Sequence, residues 1–421
     1  MGADGFFSEL LKPSGKKTVP HINDDPILNN AAWARLRDEY RFPEPVFVTR
    51  PTMPSLAAYT EILSEVWESR WLTNNAAVHE RLERALREYL GVEHLALFSN
   101  GTLALLIALQ ALGIEEGEVI TTPFTFPATP HVILWNRLRP VFCDIEPDAF
   151  NLDPARVEAA ITPATRAILP VHVYGNPCRV EALEELARKR GIPVVYDAAH
   201  TFGARYRGRA LSAWGDMAML SFHATKLFTT GEGGALVCRD AELLQRVRFF
   251  KNFGIADEET VIGPGINGKM CELQAAFGLL QLGGVDNEIA RRRAVAEVYR
   301  SGLAGIPGIR IPAEAPETQH NYAYFPILVD PERYALHRDD LYTRLRECNV
   351  ITRKYFHPLC SHIPCYAGLP SAAPANLPVA EEVARRILCL PIYGALDLDD
   401  AARICGLIRR LHEAAGERKF V

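Results

Sequence analysis

The stretch SFHATKLFTTGEGGALV, residues 221–237, places Lys226 just after an apolar run and just before a glycine-rich turn. The run Met217–Phe222 is short and apolar, which predicts a strand that ends beside Ser221 and His223. A lysine that is held in a dry pocket can lose its proton and act as a nucleophile toward a carbonyl group. A surface lysine is the competing interpretation, and this stretch alone leaves both open.

Two further apolar runs end in polar residues that suit a binding site. The residues SNGT, 99–102, separate an apolar strand from an apolar helix, and a small-residue turn of this kind presents backbone amides to a phosphate. Asp197 ends an apolar run in VVYDAAHTFGA, residues 194–204, and a buried carboxylate needs a cation or hydrogen-bond donors. A threonine-capped turn and an aspartate that caps the next segment are the alternatives.

Apolar strand-like runs alternate with helix-like runs from about Leu95 onward, which predicts an α/β fold with a mainly parallel sheet. Asp153 followed by Pro154 predicts the start of one of these helices. In an open parallel sheet, ligands bind beyond the carboxyl ends of the strands. The predicted divisions are an arm (1–50), a large domain (51–260) and a smaller α+β domain (261–421), with helices across Glu272–Leu303 and Ala380–Cys389.

Composition and charge exclude several classes of protein. The chain has 421 residues, of which 48% are hydrophobic and 23% charged, with a formal net charge of −5. No basic stripe of the kind that nucleic-acid binders carry is visible, and no apolar run approaches the roughly 20 residues that span a bilayer. Neither a signal peptide nor a dense disulfide framework is indicated by the N-terminal sequence and the nine cysteines. We expect a cytoplasmic protein that binds neither nucleic acid nor membrane.

The three strand ends together predict a site for pyridoxal 5′-phosphate (PLP). This cofactor acts as an electron sink, and it requires a lysine for a Schiff base, an acid at its pyridine nitrogen and a cradle for its phosphate. Lys226, Asp197 and the turn at 99–102 supply these three parts. The carboxylate would keep the ring nitrogen protonated, so that negative charge at the adjoining carbon spreads into the ring.

The sequence resembles the nucleotide-sugar aminotransferases of PLP fold type I, within the aspartate aminotransferase superfamily. The resemblance extends from about Trp71 to Tyr393 and rests on stretches that occur in the family's order: SNGTLALLIAL, PFTFPATPH, PVFCDIEPDAFNLDP, ILPVHVYG, YDAAHTFGA, SFHATK, GEGGALV, KNFG and INGKMCELQAA. It implies a large domain with a mainly parallel sheet flanked by helices and a smaller C-terminal α+β domain. It also implies a homodimer with shared active sites.

The resemblance implies a role for each matching position. Lys226 would bind the cofactor and carry protons, and Asp197 would hold the pyridinium. The other expected cofactor contacts are Gly101, Thr102 and Ser221 at the phosphate, Phe126 on the ring face, His200 near the ring hydroxyl, and Asn267 at the phosphate of the neighbouring subunit. The expected substrate contacts are Thr73, Asn74, His223, Tyr322 and His357.

Two positions depart from the family pattern. His200 stands where many members carry glutamine, although DAAH occurs in a branch that resembles enzymes making 4-amino-4,6-dideoxyglucose nucleotides. Ala76 and Ala77 follow the asparagines of WLTNNAAVHERLE, where a Gly-Pro-like turn is expected. The second departure bears on the substrate-side role of Thr73 and Asn74.

The branch implied by SRWLTNN, DAAH and SFHATK transfers an amino group from L-glutamate to dTDP-4-keto-6-deoxy-D-glucose. Another nucleotide keto-sugar, 3-keto or GDP-linked, is an alternative substrate. A PLP-dependent sugar dehydratase on the same fold is disfavoured because the resembling dehydratases replace the lysine with histidine. His357, Cys360, His362 and Cys365 have ligand types that suit zinc, but the segment corresponds to a substrate-facing loop, so we expect no metal.

Overall fold

The computed structural model describes residues 30–416. The helices are α1 (Asn30–Tyr40), α2 (Leu56–Ser69), α3 (Ala77–Leu90), α4 (Gly101–Ala111), α5 (Ala128–Trp135), α6 (Pro154–Ala160), α7 (Val180–Arg190), α8 (Ala241–Phe250), α9 (Glu272–Leu282), α10 (Val285–Leu303), α11 (Pro331–Tyr334), α12 (Arg338–Glu347), α13 (Pro378–Arg386) and α14 (Leu398–Gly416). The strands are β1 (Val46–Phe47), β2 (His94–Phe98), β3 (Glu118–Thr121), β4 (Arg139–Phe142), β5 (Thr165–Leu169), β6 (Val195–Asp197), β7 (Arg205–Tyr206), β8 (Arg209–Ala210), β9 (Met217–Ser221), β10 (Gly234–Cys238), β11 (Ile309–Arg310), β12 (Thr318–Gln319), β13 (Phe325–Val329), β14 (Val350–Ile351) and β15 (Ile387–Leu390).

The central sheet is mainly parallel, as the alternating pattern predicts. Strands β2-β10-β9-β6 pair in that order, and β5-β3-β4 form a second group. Parallel bridges from Ile168 to Val194 and from Val171 to Asp197 join the two groups. Within this series β10 is antiparallel to both of its neighbours, β2 and β9, and the other pairs are parallel. The carboxyl ends of β6 and β9 therefore lie side by side.

The sheet is covered on both faces, and its strands send alternate side chains to opposite sides. In β2, Leu95 and Leu97 pack in one apolar cluster with helix α3, whereas Ala96 and Phe98 pack in another with helix α4. Helix α4 crosses strands β2, β6, β9 and β10. Because both faces are buried, the central residues of β2, β9 and β10 are continuously apolar. Among the helices within 30–416, none has the length and apolarity needed to cross a bilayer.

Two predicted helices are wrong in extent. The helix expected across Glu272–Leu303 is two helices, α9 and α10, separated at Gly283 and Gly284. Each glycine in a helix interior costs about 1 kcal/mol relative to alanine, so two in succession favour a break. The helix expected across Ala380–Cys389 ends at Arg386, and the apolar residues of β15 pair with β13 instead.

The first described residues pack on the C-terminal part of the chain. Helix α1 contacts α14, and Arg403 donates a hydrogen bond to the carbonyl of Glu39 at 2.8 Å. Strand β1 pairs with β14, while β11, β13 and β15 form an antiparallel sheet. Helix α9 packs against α2 and α3. The domain boundaries at 50 and 260 stay predictions, and residues 1–29 of the expected arm lie outside the described residues.

Candidate active site

Lys226 lies in the turn after β9, and its backbone N–H donates to the carbonyl of His223 at 2.8 Å. The residue keeps a partly exposed surface, and its Nζ lies 5.8 Å from the ring centroid of Tyr324. Burial lowers the pKa of Lys226 to about 8, and the charge of Asp197 opposes that shift. A substantial fraction of the amine is therefore neutral near physiological pH, which is the form that attacks a carbonyl carbon.

Asp197 ends strand β6 and is 5% exposed. Its Oδ2 accepts a hydrogen bond from the Thr129 hydroxyl at 2.7 Å, and its Oδ1 accepts one from the backbone N–H of Ala199 at 3.0 Å. Burial raises the pKa of Asp197, whereas both hydrogen bonds and the charge of Lys226 act in the opposite direction. The carboxyl group thus lies close enough to Lys226 to interact with its charge, and it keeps unused lone pairs for a cationic partner.

His200 follows Asp197 by three residues and is held in one tautomer. The backbone N–H of Tyr174 donates to its Nδ1 at 3.1 Å. Burial lowers the pKa of His200 well below its ordinary value, and the charge of Lys226 adds to this effect. The ring is therefore neutral, and because Nδ1 accepts, the proton resides on Nε2. The ring of Phe356 is stacked on it with an interplanar angle of 3°.

The start of α4 forms a tight cradle beside the end of β9. Asn100 caps the helix by accepting from the N–H of Leu103 at 2.9 Å, which leaves the first amides of the helix free for a ligand. A Cβ on Gly101 would stand 2.9 Å from Met219 Sδ and 3.2 Å from Ser221 Cβ. Glycine is thus needed for this close approach, which brings Gly101, Thr102 and Ser221 together at a helix N-terminus suited to an anion.

The apolar ring of Phe126 is largely exposed. The side chain is 59% exposed, which is unusual for a phenylalanine next to a buried core. Thr125 and Thr129 on either side of it are buried, and Thr129 contacts Asp197. One short segment therefore supplies both an aromatic face and a partner for the acid.

Thr73 and Asn74 lie in an exposed turn before α3. Asn74 and Asn75 adopt left-handed conformations with φ of 61° and 58°, which asparagine tolerates better than most residues. Ala76 offers no side-chain cap to α3, and the carboxylate of Glu272 instead accepts from the N–H of Val78 at 2.9 Å. The asparagines and this carboxylate replace the expected Gly-Pro-like turn.

Asn267 is exposed and lies close to the cradle of its own chain. The carbonyl of Gly268 accepts from the N–H of Ser99 at 2.8 Å, which fixes this loop beside residues 99–102. The Asn267 side chain accepts from the N–H of Lys269 at 3.4 Å, and its backbone is bridged to Asn252. Its expected contact with a neighbouring subunit's cofactor stays a prediction.

His223 is an exposed neighbour of Lys226. Its Nδ1 lies 2.8 Å from the Thr225 hydroxyl, and its Nε2 lies 3.7 Å from Glu232 Oε1. The imidazole is thus oriented by its own turn while one edge remains accessible. This placement agrees with a role at the substrate entrance, which stays a prediction.

Tyr322 and His357 differ in their exposure. Tyr322 is 7% exposed, and the guanidinium of Arg293 lies 5.8 Å from its ring centroid. His357 is exposed, and burial of part of its ring lowers its pKa. A substrate contact by Tyr322 would require its ring to become more accessible, whereas His357 is already accessible; both substrate roles stay predictions.

The segment 357–365 does not gather its histidines and cysteines around one point. His362 Nε2 lies 2.6 Å from Glu381 Oε1, and the Cys360 thiol points to the carbonyl of Thr125 at 3.2 Å. Over residues 30–416, no group of three or more His, Cys, Asp or Glu side chains is arranged to hold a metal ion.

The sequence did not predict Thr129 and Tyr174, which hold Asp197 and His200 in place. Thr129 occurs within the quoted stretch PFTFPATPH, but a threonine in an apolar helix carries no signal of its partner. Tyr174 acts through its backbone N–H, which no side-chain pattern reveals. Asn321 is fully buried and donates to the carbonyls of His200 and Phe202 at 2.8 and 2.9 Å. It therefore positions the loop after Asp197.

Proteins of known type are similar to this chain over most of its length. A dTDP-4-amino-4,6-dideoxy-D-glucose transaminase of Escherichia coli is 48% identical over 364 residues, 86% of this chain and 97% of that protein. A dTDP-3-amino-3,4,6-trideoxy-alpha-D-glucose transaminase of Streptomyces venezuelae is 38% identical over 79% of this chain and 87% of that protein. The crystal structure of DesI in the presence of its TDP-sugar product matches with a TM-score of 0.85 and 36% identity, covering 90% of this chain and 96% of that one.

The match to a whole family is equally extensive. Residues 57–409 fit the model of the DegT/DnrJ/EryC1/StrS aminotransferase family, a range that contains Lys226, Asp197, His200 and the cradle at 99–102. These are the residues that the fold brings to neighbouring strand ends. The chain therefore belongs to the DegT/DnrJ/EryC1/StrS aminotransferase family.

Proposed function

We propose that the chain binds PLP through Lys226 and uses it to transfer an amino group from L-glutamate to a nucleotide-linked keto-sugar. The observation that carries this proposal is the lysine with a pKa of about 8 facing a buried carboxyl group across neighbouring strand ends. The pocket fits the cofactor's parts: the glycine cradle suits its phosphate, the exposed ring of Phe126 suits its ring, and Asp197 suits its nitrogen.

PLP, when bound, withdraws electrons from the carbon that loses or gains a proton. Asp197 would accept a hydrogen bond from the protonated ring nitrogen, and the Nε2–H of His200 would donate to the oxygen atom on the ring. Lys226 would hold the cofactor through its aldehyde carbon. When an amine substrate takes its place, the neutral Nζ of Lys226 would remove the α-proton of the donor and later return a proton to the sugar carbon.

The keto-sugar that we propose is dTDP-4-keto-6-deoxy-D-glucose, aminated at carbon 4. Identity supports this choice: 48% to the E. coli 4-amino transaminase, 38% to the S. venezuelae 3-amino transaminase and 33% to an E. coli O157:H7 GDP-perosamine synthase. The stretches SRWLTNN, DAAH and SFHATK point to the same branch. The product would be dTDP-4-amino-4,6-dideoxy-D-glucose.

We also propose that two copies form a homodimer. Large apolar side chains lie exposed near the cradle and its supporting helices, including Trp67 at 65%, Trp71 at 58% and Phe253 at 48%. Exposed apolar residues in such number mark an interaction surface. Asn267 lies in the same region and would reach the partner's cofactor, as the family resemblance implies.

The nine cysteines are all free, which agrees with the reducing cytoplasm as the site of the reaction.

The test is to incubate PLP-loaded protein with L-glutamate and dTDP-4-keto-6-deoxy-D-glucose and identify the sugar product by mass spectrometry and NMR. We expect an equatorial amine at carbon 4 and 2-oxoglutarate in equal amounts, neither of them formed by Lys226→Ala. Bleaching of the yellow cofactor by glutamate without sugar product would reject the substrate and keep the aminotransferase. Absence of bleaching with every amino acid tried would contradict the proposed reaction.

A further inference from the structure

A chain of two threonine hydroxyls ends on the carboxylate of Asp197. Thr129 Oγ1 donates to Asp197 Oδ2 at 2.7 Å, and Thr125 Oγ1 lies 2.8 Å from Thr129 Oγ1. Because Thr129 commits its only proton to the carboxylate, it accepts from Thr125. When the carboxyl group is ionised, the hydroxyls therefore donate in the order Thr125 to Thr129 to Asp197.

Both hydroxyls are buried, and within the described residues neither forms a hydrogen bond with any other polar side chain. Thr129 is 0% and Thr125 is 2% exposed, and within residues 30–416 their hydroxyls bond only to each other and to Asp197. Valine would have the same shape without the expense of burying two hydroxyl groups. A purely structural role in the core would thus be met better by an apolar pair, which indicates that the hydroxyls act on the carboxylate.

Donors of this kind decide which form of a buried carboxyl group is stable. Burial of Asp197 favours the neutral acid, whereas a hydrogen bond to the carboxylate favours the anion. A second hydroxyl behind the first polarises it and strengthens the bond. Among residues 30–416, the other titratable groups around Asp197 are Lys226, Cys178, His172 and His200. The charge of Lys226 favours the anion. Burial raises the pKa of the Cys178 thiol and lowers the pKa of both histidines, so that neither histidine competes as a cation.

We propose that the Thr125–Thr129 pair keeps Asp197 ionised, so that the proton shared with the cofactor's ring nitrogen stays on the nitrogen. This inference rests on the proposed PLP function. One proton lies between two bases, the ring nitrogen and the carboxylate, and its transfer changes no net charge. By lowering the basicity of the carboxylate, the pair retains the proton on the ring and maintains its electron-withdrawing power. The two threonines are positioning residues that act through Asp197.

The experiment measures the ring proton directly, in holoenzyme loaded with PLP that is ¹⁵N-labelled at the ring nitrogen. Thr129→Val should move the ¹⁵N resonance toward the unprotonated position and slow bleaching by glutamate about tenfold, the effect of one hydrogen bond. Thr129→Ser, which keeps the hydroxyl, should resemble the wild type. Thr125→Val should shift the resonance in the same direction by a smaller amount.

Thr121→Val is the matched control. Thr121 is equally buried, and its hydroxyl donates to the carbonyl of Leu169 at 2.8 Å, away from Asp197. This variant should leave the resonance unchanged. If Thr129→Val behaves as Thr121→Val does, the proposal is wrong; if Thr129→Val fails to fold, an unshifted Thr125→Val overturns it equally. Wild-type protein that takes up no cofactor would instead refute the proposed function, and this inference with it.

Discussion

Lys226 and Lys251 occupy two pockets that lower the pKa of each lysine to about 8, in both cases chiefly through burial. Lys251 is 3% exposed, and its Nζ donates to the carbonyl of Leu97 at 3.0 Å. Lys226 is partly exposed, and among residues 30–416 no group accepts a hydrogen bond from its Nζ. A low pKa makes both amines available, but only Lys226 also has access and a nearby acid, Asp197, which is why we propose it as the nucleophile.

Substituting each lysine in turn should show the largest difference between the two pockets. Lys226→Ala should lower amino transfer by at least about a thousandfold, because one group does acid and base work in both half-reactions. Lys251→Met keeps the length of the side chain and should leave kcat within about threefold, since burying an apolar group in place of a charged one is often tolerated. Steady-state assays with matched protein concentrations measure both. A comparable loss in Lys251→Met would show that the two pockets are functionally equivalent.

Removing the facing acid should have the next largest effect. Asp197→Asn keeps the shape but cannot hold a pyridinium, so kcat should fall about a hundredfold or more and the electron sink should weaken. Asp144→Asn is the matched buried control, because that carboxylate accepts from the N–H groups of Val379 and Ala380 at the start of α13. It should lower the melting temperature and leave the absorbance spectrum unchanged. An Asp197→Asn enzyme with wild-type kcat would be inconsistent with this role.

The pH dependence of cofactor capture reports the titration of Lys226. Only neutral Lys226 attacks the aldehyde, so the rate of PLP uptake by the apoenzyme should rise as pH increases and level off above about 8. Between pH 6 and pH 8 the neutral fraction increases about fiftyfold for that pKa. Stopped-flow absorbance records the uptake, and Lys251→Met should give the same profile. A rate that continued to rise to pH 10 would mean that Lys226 is not desolvated.

Substituting His200 should have a smaller effect than substituting Lys226 or Asp197. In the proposed site its Nε2–H would be a single neutral donor to the oxygen on the cofactor ring, so His200→Phe should weaken PLP binding about tenfold. His200→Gln restores a donor and should regain most of that loss. Equilibrium dialysis of PLP measures the affinity. If the His200→Phe and His200→Gln variants bind PLP equally well, the hydrogen bond from residue 200 contributes nothing to the affinity.

The sequence predicted the strand ends better than their supports. The alternating apolar runs predicted strands β2, β6 and β9. Asp197, at the end of β6, and Lys226, in the turn after β9, are the residues that the fold brings together. The partners of those residues come from distant segments or from backbone groups, as with Thr129 and Tyr174, so no local pattern indicates them. Lys251 was missed for the same reason, since its burial depends on packing between α8 and β2.

The predicted helix ends were wrong where strand pairing or a pair of glycines determined where the helix stops. The apolar run at Ile387–Leu390 suits a helix and a strand equally, and its pairing with β13 made it a strand. The break at Gly283–Gly284 is visible in the sequence but is outweighed by the strong helical pattern on both sides. The contacts of Thr73, Asn74 and Asn267 depend on a substrate or a second copy, which a single sequence does not define.

Covalent trapping of the cofactor tests most directly whether Lys226, and not Lys251, binds PLP. PLP-loaded protein is reduced with borohydride, digested, and mapped by mass spectrometry to find the lysine that carries the pyridoxyl group. We expect modification of Lys226 alone, and no modified lysine in Lys226→Ala protein. Modification of Lys251, or an unmodified Lys226 in yellow protein, would contradict the distinction between the two pockets.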